Sequence, residues 1–217
     1  MPNPYFKYKQ FTVYQDQCAM KVCTDSSLFG ALIDSSQAEN ILDIGTGTGV
    51  LSLMQAQKST AKITAVEIEE NAAKQATSNF KASPWSDRIN LVLRPVQEFS
   101  KEHNLQFDLI ISNPPFFKDS FKSPDASVNM ARHDSLLPQD ELLQSVLSLL
   151  TDDGAFWLLL PEYEFDRFES LANNQLFCST KYNIKDRVIR ERMRVVGKFE
   201  RTNKPCLLYT SPSPRDA

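Results

Sequence analysis

The chain has 217 residues, with 24 Lys plus Arg against 27 Asp plus Glu, a net charge of −3, and 41% hydrophobic residues. That balance fits a water-soluble domain with one full hydrophobic core, and no window approaches the ~18 uninterrupted apolar residues of a membrane helix. The start, MPNPYFKYKQFTVYQDQ, lacks the apolar core of a secretory signal, and Cys18, Cys23, Cys178 and Cys206 show neither metal-ligand spacing nor a disulfide framework. Reduced thiols, no bound metal and a cytoplasmic location are therefore expected.

In chain order, Phe6, Tyr8, Phe11, Val13 and Tyr14 predict a small hairpin of aromatics interleaved with lysines. Short, nearly continuous apolar runs at Asn40–Ile44, Ile63–Ile68, Ile89–Leu93, Phe107–Ser112 and Ala155–Leu160 predict strands buried on both faces. Between them, Val50–Gln57, Glu70–Lys81, Pro138–Leu150 and Tyr163–Asn173 carry helical patterns, and Gly154 is placed just past the end of the third. This alternation predicts an α/β fold with a doubly wound, mostly parallel sheet. Residues 181–200 read as a hairpin on the sheet edge. The segment Cys206–Ala217 (CLLYTSPSPRDA) shows no helix or strand period; it resembles a translated cloning remnant and is expected not to pack.

Charge is unevenly spread: +2 on residues 1–24, +6 on 181–204 and −11 on 25–180. Basic ends around an acidic body fit a polyanion-binding surface, and equally a solvated hairpin.

The first strand runs into Asp43-Ile44-Gly45-Thr46-Gly47-Thr48-Gly49 and then a helix. Glycines here permit a tight turn and close approach of a ligand to the backbone. The alternating glycines and the acidic strand residue depart from the dinucleotide fingerprint. They resemble the cofactor loop of Rossmann-like S-adenosylmethionine-dependent methyltransferases. That resemblance implies S-adenosylmethionine as cofactor, with Asp43 near its amino-acid end and Gly45, Gly47 and Gly49 in its loop. It also implies Val96 and Gln97 at its adenine. Glu67, at the end of the second strand, is placed to take the ribose hydroxyls. Glu69 and Glu70 read as first-turn helix residues favoured by the macrodipole.

The fourth strand ends in Asn113-Pro114-Pro115-Phe116. The prolines stiffen the turn, so the Asn113 amide oxygen and the Pro114 carbonyl can be aimed at one point. Two fixed acceptors hold both hydrogens of an amino group on a planar ring and favour a pyramidal nitrogen whose lone pair is free to attack. Phe116 would stack on the ring, with Phe117 beside it on the substrate side. The same segment also reads as a rigid turn with Phe116 and Phe117 in the core.

Met20–Leu32 (MKVCTDSSLFGAL), the NPPFF turn and Phe121–Leu137 (FKSPDASVNMARHDSLL) together resemble the bacterial tRNA1(Val) adenine-N6 methyltransferase family. The resemblance implies N6 methylation of the adenosine beside the anticodon and a seven-stranded Rossmann-like methyltransferase sheet with small hairpins near both termini; a monomer is expected. It puts Lys21, Thr24 and Asp25 at the cofactor mouth, although Thr24 or Asp25 also reads as a helix N-cap. Arg132 and His133 fall in a loop able to clamp substrate phosphate or base. Arg190, Arg192 and Arg194, in the basic stretch, are expected to grip tRNA phosphates. The expected layout is one methyltransferase domain over 1–205: an aromatic hairpin region at 1–30, a cofactor core at 31–160 and a C-terminal helix and basic hairpin at 161–205. Ribosomal RNA guanine-N2 and protein glutamine-N5 methyltransferases remain alternatives, as does a non-enzymatic RNA-docking module.

Overall fold

The computed structural model describes residues 3–18, 20–101, 105–115, 137–185 and 194–212. A two-stranded antiparallel hairpin, β1 (Tyr5–Lys7) and β2 (Thr12–Tyr14), precedes α1 (Thr24–Leu32). The body follows as β3 (Asn40–Ile44), α2 (Val50–Lys58), β4 (Lys62–Glu67), α3 (Glu70–Lys81), β5 (Ile89–Leu93), α4 (Val96–Phe99) and β6 (Phe107–Ser112). Then come α5 (Gln139–Leu149), β7 (Leu150–Pro161), α6 (Glu162–Ala172), β8 (Phe177–Lys185), β9 (Arg194–Glu200) and β10 (Leu207–Pro212). The large sheet has the order β10-β8-β9-β7-β6-β3-β4-β5, with β9 antiparallel to both its neighbours and the other pairings parallel.

Successive side chains of a strand point to opposite faces, and the two halves of the core follow that period. Ile41, Leu109 and Ile111 face Phe29, Leu53 and Phe80 of α1, α2 and α3. Leu42, Ile44 and Ile110 face Phe99, Val146 and Phe168 of α4, α5 and α6. The sheet is therefore doubly wound, and the chain reverses its direction of winding between β3 and β6. Ligands bind at such a switch point, outside the carboxyl ends of the strands.

Three expectations need correction. Gly154 lies inside β7, because α5 stops at Leu149 and Leu150 is already extended, pairing with Phe107. The segment expected not to pack forms β10 over Leu207–Pro212, which adds an eighth strand beside β8. The open edge of β8 offers unpaired backbone groups, Leu-Leu-Tyr-Thr is strand-prone, and Tyr209 stacks on Tyr182 at 4.8 Å. Helix α1 is capped by Cys23, whose N–H donates to Ser26 Oγ at 3.2 Å, and Thr24 is its first residue. Among the described residues, no helix is long and apolar enough to cross a membrane.

Candidate active site

A cavity of about 340 Å³ opens at the carboxyl ends of β3 to β6. That is within the size range of small-molecule sites. Its wall includes Gly45 and Gly47 from the loop after β3, Glu67 at the end of β4, Gln97 at the start of α4, and Asn113, Pro114 and Pro115 after β6.

The glycine loop is tied to the end of β4 by three backbone N–H groups. Gly45 N and Thr46 N donate to Val66 O at 2.9 and 3.2 Å, and Gly47 N donates to Glu67 Oε2 at 2.9 Å. Gly47 has φ +56°, and a Cβ added there would meet nothing within 4 Å. The loop thus presents bare backbone to open space. Gly49 has a different reason to be glycine: at φ +82° it caps α2, and a Cβ would lie 2.4 Å from the Phe80 ring. Gly49 is not part of the cavity wall.

Asp43 is also absent from the wall. It is fully buried behind the loop, where Oδ2 accepts from Thr46 Oγ1 (2.6 Å), Ser52 Oγ (2.6 Å) and Ser52 N (3.2 Å). Its Oδ1 has no hydrogen-bond partner among the described residues. Burial pushes its carboxyl up to about 6, against the opposing pull of the Ser52 and Thr46 hydrogen bonds.

Glu67 is buried, and besides Gly47 N it accepts at Oε1 from Ile68 N (2.9 Å) and Glu69 N (3.0 Å). This fixes its carboxylate at the strand end with lone pairs to spare. Glu69 is the N-cap of α3 rather than a first-turn residue, accepting from Asn71 N and Ala72 N. Gln97 lines the cavity while its Nε2 donates to Glu141 Oε2 of α5 at 2.7 Å.

Asn113 follows Ser112, whose Oγ donates to Ile44 O at 3.0 Å and locks the end of β6 to that of β3. Asn113 Oδ1 is buried and has no partner among the described residues. An orphaned acceptor costs roughly 1–3 kcal/mol, so its retention at a cavity wall points to a donor that arrives from outside.

Elsewhere the predicted set disperses. Thr24 is exposed and not on the cavity wall. Arg194 pairs with Asp25 at 3.4 Å, which joins β9 to the first turn of α1. Phe116, Phe117, Arg132, His133, Arg190 and Arg192 lie outside the described residues. Sequence reasoning missed Cys18, Met20, Ile68 and Leu137, which supply apolar wall. Of these only Ile68, next to Glu67 at a strand end, carried a local signal. Burial, aided by the Glu67 and Glu69 charges, pushes the Cys18 thiol up to about 11, so it is a neutral surface and not a nucleophile. No group of three or more His, Cys, Asp or Glu among the described residues is arranged to hold a metal ion.

The methyltransferase small domain family model matches residues 17–161. A relative from Phocaeicola vulgatus, named tRNA1(Val) (adenine(37)-N6)-methyltransferase, is 49% identical over 184 residues, covering 85% of this chain and 75% of its own length. One of the same name from Cytophaga hutchinsonii is 49% identical over 174 residues, covering 80% and 73%. TrmN from Thermus thermophilus superposes with a TM-score of 0.62 at 17% identity, over 82% of this chain and 48% of that one, a likeness of fold. With a glycine loop, a strand-end carboxylate and an Asn-Pro-Pro turn on one cavity, the chain belongs to the methyltransferase small domain family, in the group of tRNA1(Val) adenine-N6 methyltransferases.

Proposed function

We propose that this protein transfers a methyl group from S-adenosylmethionine to the N6 amine of an adenine in tRNA, the adenosine at position 37 of tRNA1(Val) that its relatives' names specify. The observation that carries the reading is the buried Asn113 Oδ1, without a partner among the described residues, on the same cavity wall as the bare backbone of Gly45 and Gly47.

The residues present fit the cofactor. Gly45 and Gly47 leave room against the backbone, Glu67 offers acceptors for ribose hydroxyls, and Ile68 and Val96 supply apolar wall for an adenine. Bound there, S-adenosylmethionine would supply an electrophilic methyl group on a sulfonium. At the other end, Asn113 Oδ1 and Pro114 O act as two fixed acceptors. They orient the amine and favour a pyramidal nitrogen, so positioning and dipoles carry the acceleration. The quaternised nitrogen is acidic enough to lose its proton to water, so no basic side chain is needed. Phe116 is assigned to stack on the base. The base must leave its stack to enter, which costs a few kcal/mol unless it already sits in an open loop, as beside an anticodon. Basic residues at both ends, Arg190 and Arg192 included, would hold phosphates, and Arg194, already paired with Asp25, would do so only by exchanging that partner, so activity is expected to fall steeply with salt.

Glu67→Ala is expected to raise the S-adenosylmethionine Kd about 10- to 100-fold, since a charge-assisted hydrogen bond is worth ~1.5–3 kcal/mol. Isothermal titration checks this, and an unchanged Kd would remove Glu67 from the cofactor site. The direct test of the function is nucleoside mass spectrometry on unmodified tRNA transcripts incubated with the protein and labelled S-adenosylmethionine. Label in N6-methyladenosine, mapped to position 37, is expected. Label in guanosine, or in no nucleoside at all, would overturn the substrate assignment.

A further inference from the structure

The N-terminal hairpin has one face that neither the core nor the cavity uses. Its register pairs Tyr5 with Tyr14 and Lys7 with Thr12, so these four side chains stand on one side and Phe6 and Val13 on the other. Val13 is fully buried, which makes the second side the inner one, although Phe6 at the end of that side is 42% exposed. On the outer side Tyr5 and Tyr14 are 44% and 48% exposed, with ring centroids 6.2 Å apart and ring planes tilted by 56°. Rings left in water add little to folding.

This face is held in a fixed place relative to the cavity. Asn79 of α3 is fully buried; its Oδ1 accepts from Tyr14 N at 2.9 Å, and its Nδ2 donates to Tyr14 O and to Thr48 O of the glycine loop, each at 2.8 Å. Gln75 Oε1 accepts from Gln17 N at 2.9 Å on the same helix. Strand β2 ends at Tyr14, and the chain runs on to Cys18 and Met20, which line the cavity. Tyr14 and Cys18 are four residues apart, a span of at most ~14 Å. The hairpin belongs to a segment of charge +2, against −11 for residues 25–180, so a polyanion is favoured here.

We propose that the outer face of the hairpin is an RNA platform, on which one of the two tilted rings, Tyr5 or Tyr14, stacks an unpaired base flanking the one in the cavity, the other ring bracing it, while Lys7 meets a phosphate. The proposal rests on the tRNA reading above and identifies a surface that tRNA would use. The test compares the Tyr5→Ala/Tyr14→Ala double variant with the corresponding Phe pair and Leu pair. Stacking on one base predicts a rise of about 5- to 150-fold in KM for tRNA in the Ala pair, with kcat and S-adenosylmethionine Kd within about twofold. The Phe pair should match the wild type, and the Leu pair, apolar but without rings, should resemble the Ala pair. Lys7→Gln should lower the salt slope of binding by about one. Four results would overturn the platform: an unchanged KM in the Ala pair, a Phe pair as impaired as the Ala pair, a loss of cofactor binding in all three, or a wild-type dimer that the Ala pair dissolves. Binding of a short single-stranded RNA reads the platform without turnover. It therefore decides the proposal even if the wild type methylates no tRNA, a failure that would count against the proposed function instead.

Discussion

Replacing Asn113 by Ala is expected to lower single-turnover methylation about 10²- to 10³-fold and to leave S-adenosylmethionine affinity within about twofold, by analogy with the removal of one preorganised dipole from an active site. The side chain sits where β6 ends, and Ser112 and the Pro114-Pro115 pair fix the backbone on both sides of it. Its Oδ1 is buried with no partner among the described residues, so the free protein gives up a hydrogen bond to keep an acceptor aimed. Truncation removes that orphan, and the variant should be at least as stable as the wild type while losing turnover. A variant that lost turnover and stability together would instead identify Asn113 as a structural residue. Undiminished turnover would reject the two-acceptor chemistry. The Pro114 carbonyl remains in the variant, so some orientation of the amine survives, which is why the expected loss is finite.

The strands were legible because their signal is local. Asn40–Ile44, Ile89–Leu93 and Phe107–Ser112 are apolar runs bounded by polar or turn residues, and each coincides with its strand. The end of α5 was not legible, because the extension of β7 back to Leu150 depends on pairing with Phe107, more than 40 residues away. Strand β10 likewise depends on the β8 edge beside it, which no property of Leu207–Pro212 reveals. At the site, the glycine loop and the Asn-Pro-Pro turn announced themselves by composition. Yet the individual reasons differ: Gly47 faces open space, whereas Gly49 makes room for Phe80, and the two are alike in sequence. Cys18 and Met20 reach the cavity because Asn79 and Gln75 hold the N-terminal segment along α3, an arrangement of side-chain amides with no sequence signature. Asp43 shows most clearly what spacing alone withholds. Its position before the glycines is plain in the sequence, but its burial behind the loop, with Oδ2 occupied by Thr46 and Ser52, is not.

That placement gives Asp43 a measurable signature in stability. Burial raises its folded-state pKa to about 6, from about 3.9 in an unfolded chain. The folded protein thus binds this proton more tightly than the unfolded chain does. The destabilisation from an ionised Asp43 is fully present above pH 6 and is relieved as the pH falls through 6 towards 4. Integrated over that window, the relief is roughly 2–4 kcal/mol. Other carboxylates titrate in the same range, so the quantity to read is the difference between wild type and Asp43→Asn. The Asn oxygen can accept from the same three donors without a charge, while its amide nitrogen takes the position of the unpartnered Oδ1. Urea unfolding at a series of pH values should show the wild type gaining on the variant as the pH drops from 7 to 4, and a flat difference above 7. A constant difference across the window would mean that the carboxylate is not the buried ion described here. At neutral pH an ionised Asp43 makes the stronger acceptor for Thr46 and Ser52, whose hydroxyls stand at 2.6 Å. Its cost in stability is then the counterpart of a glycine loop held still enough to present bare backbone to a ligand.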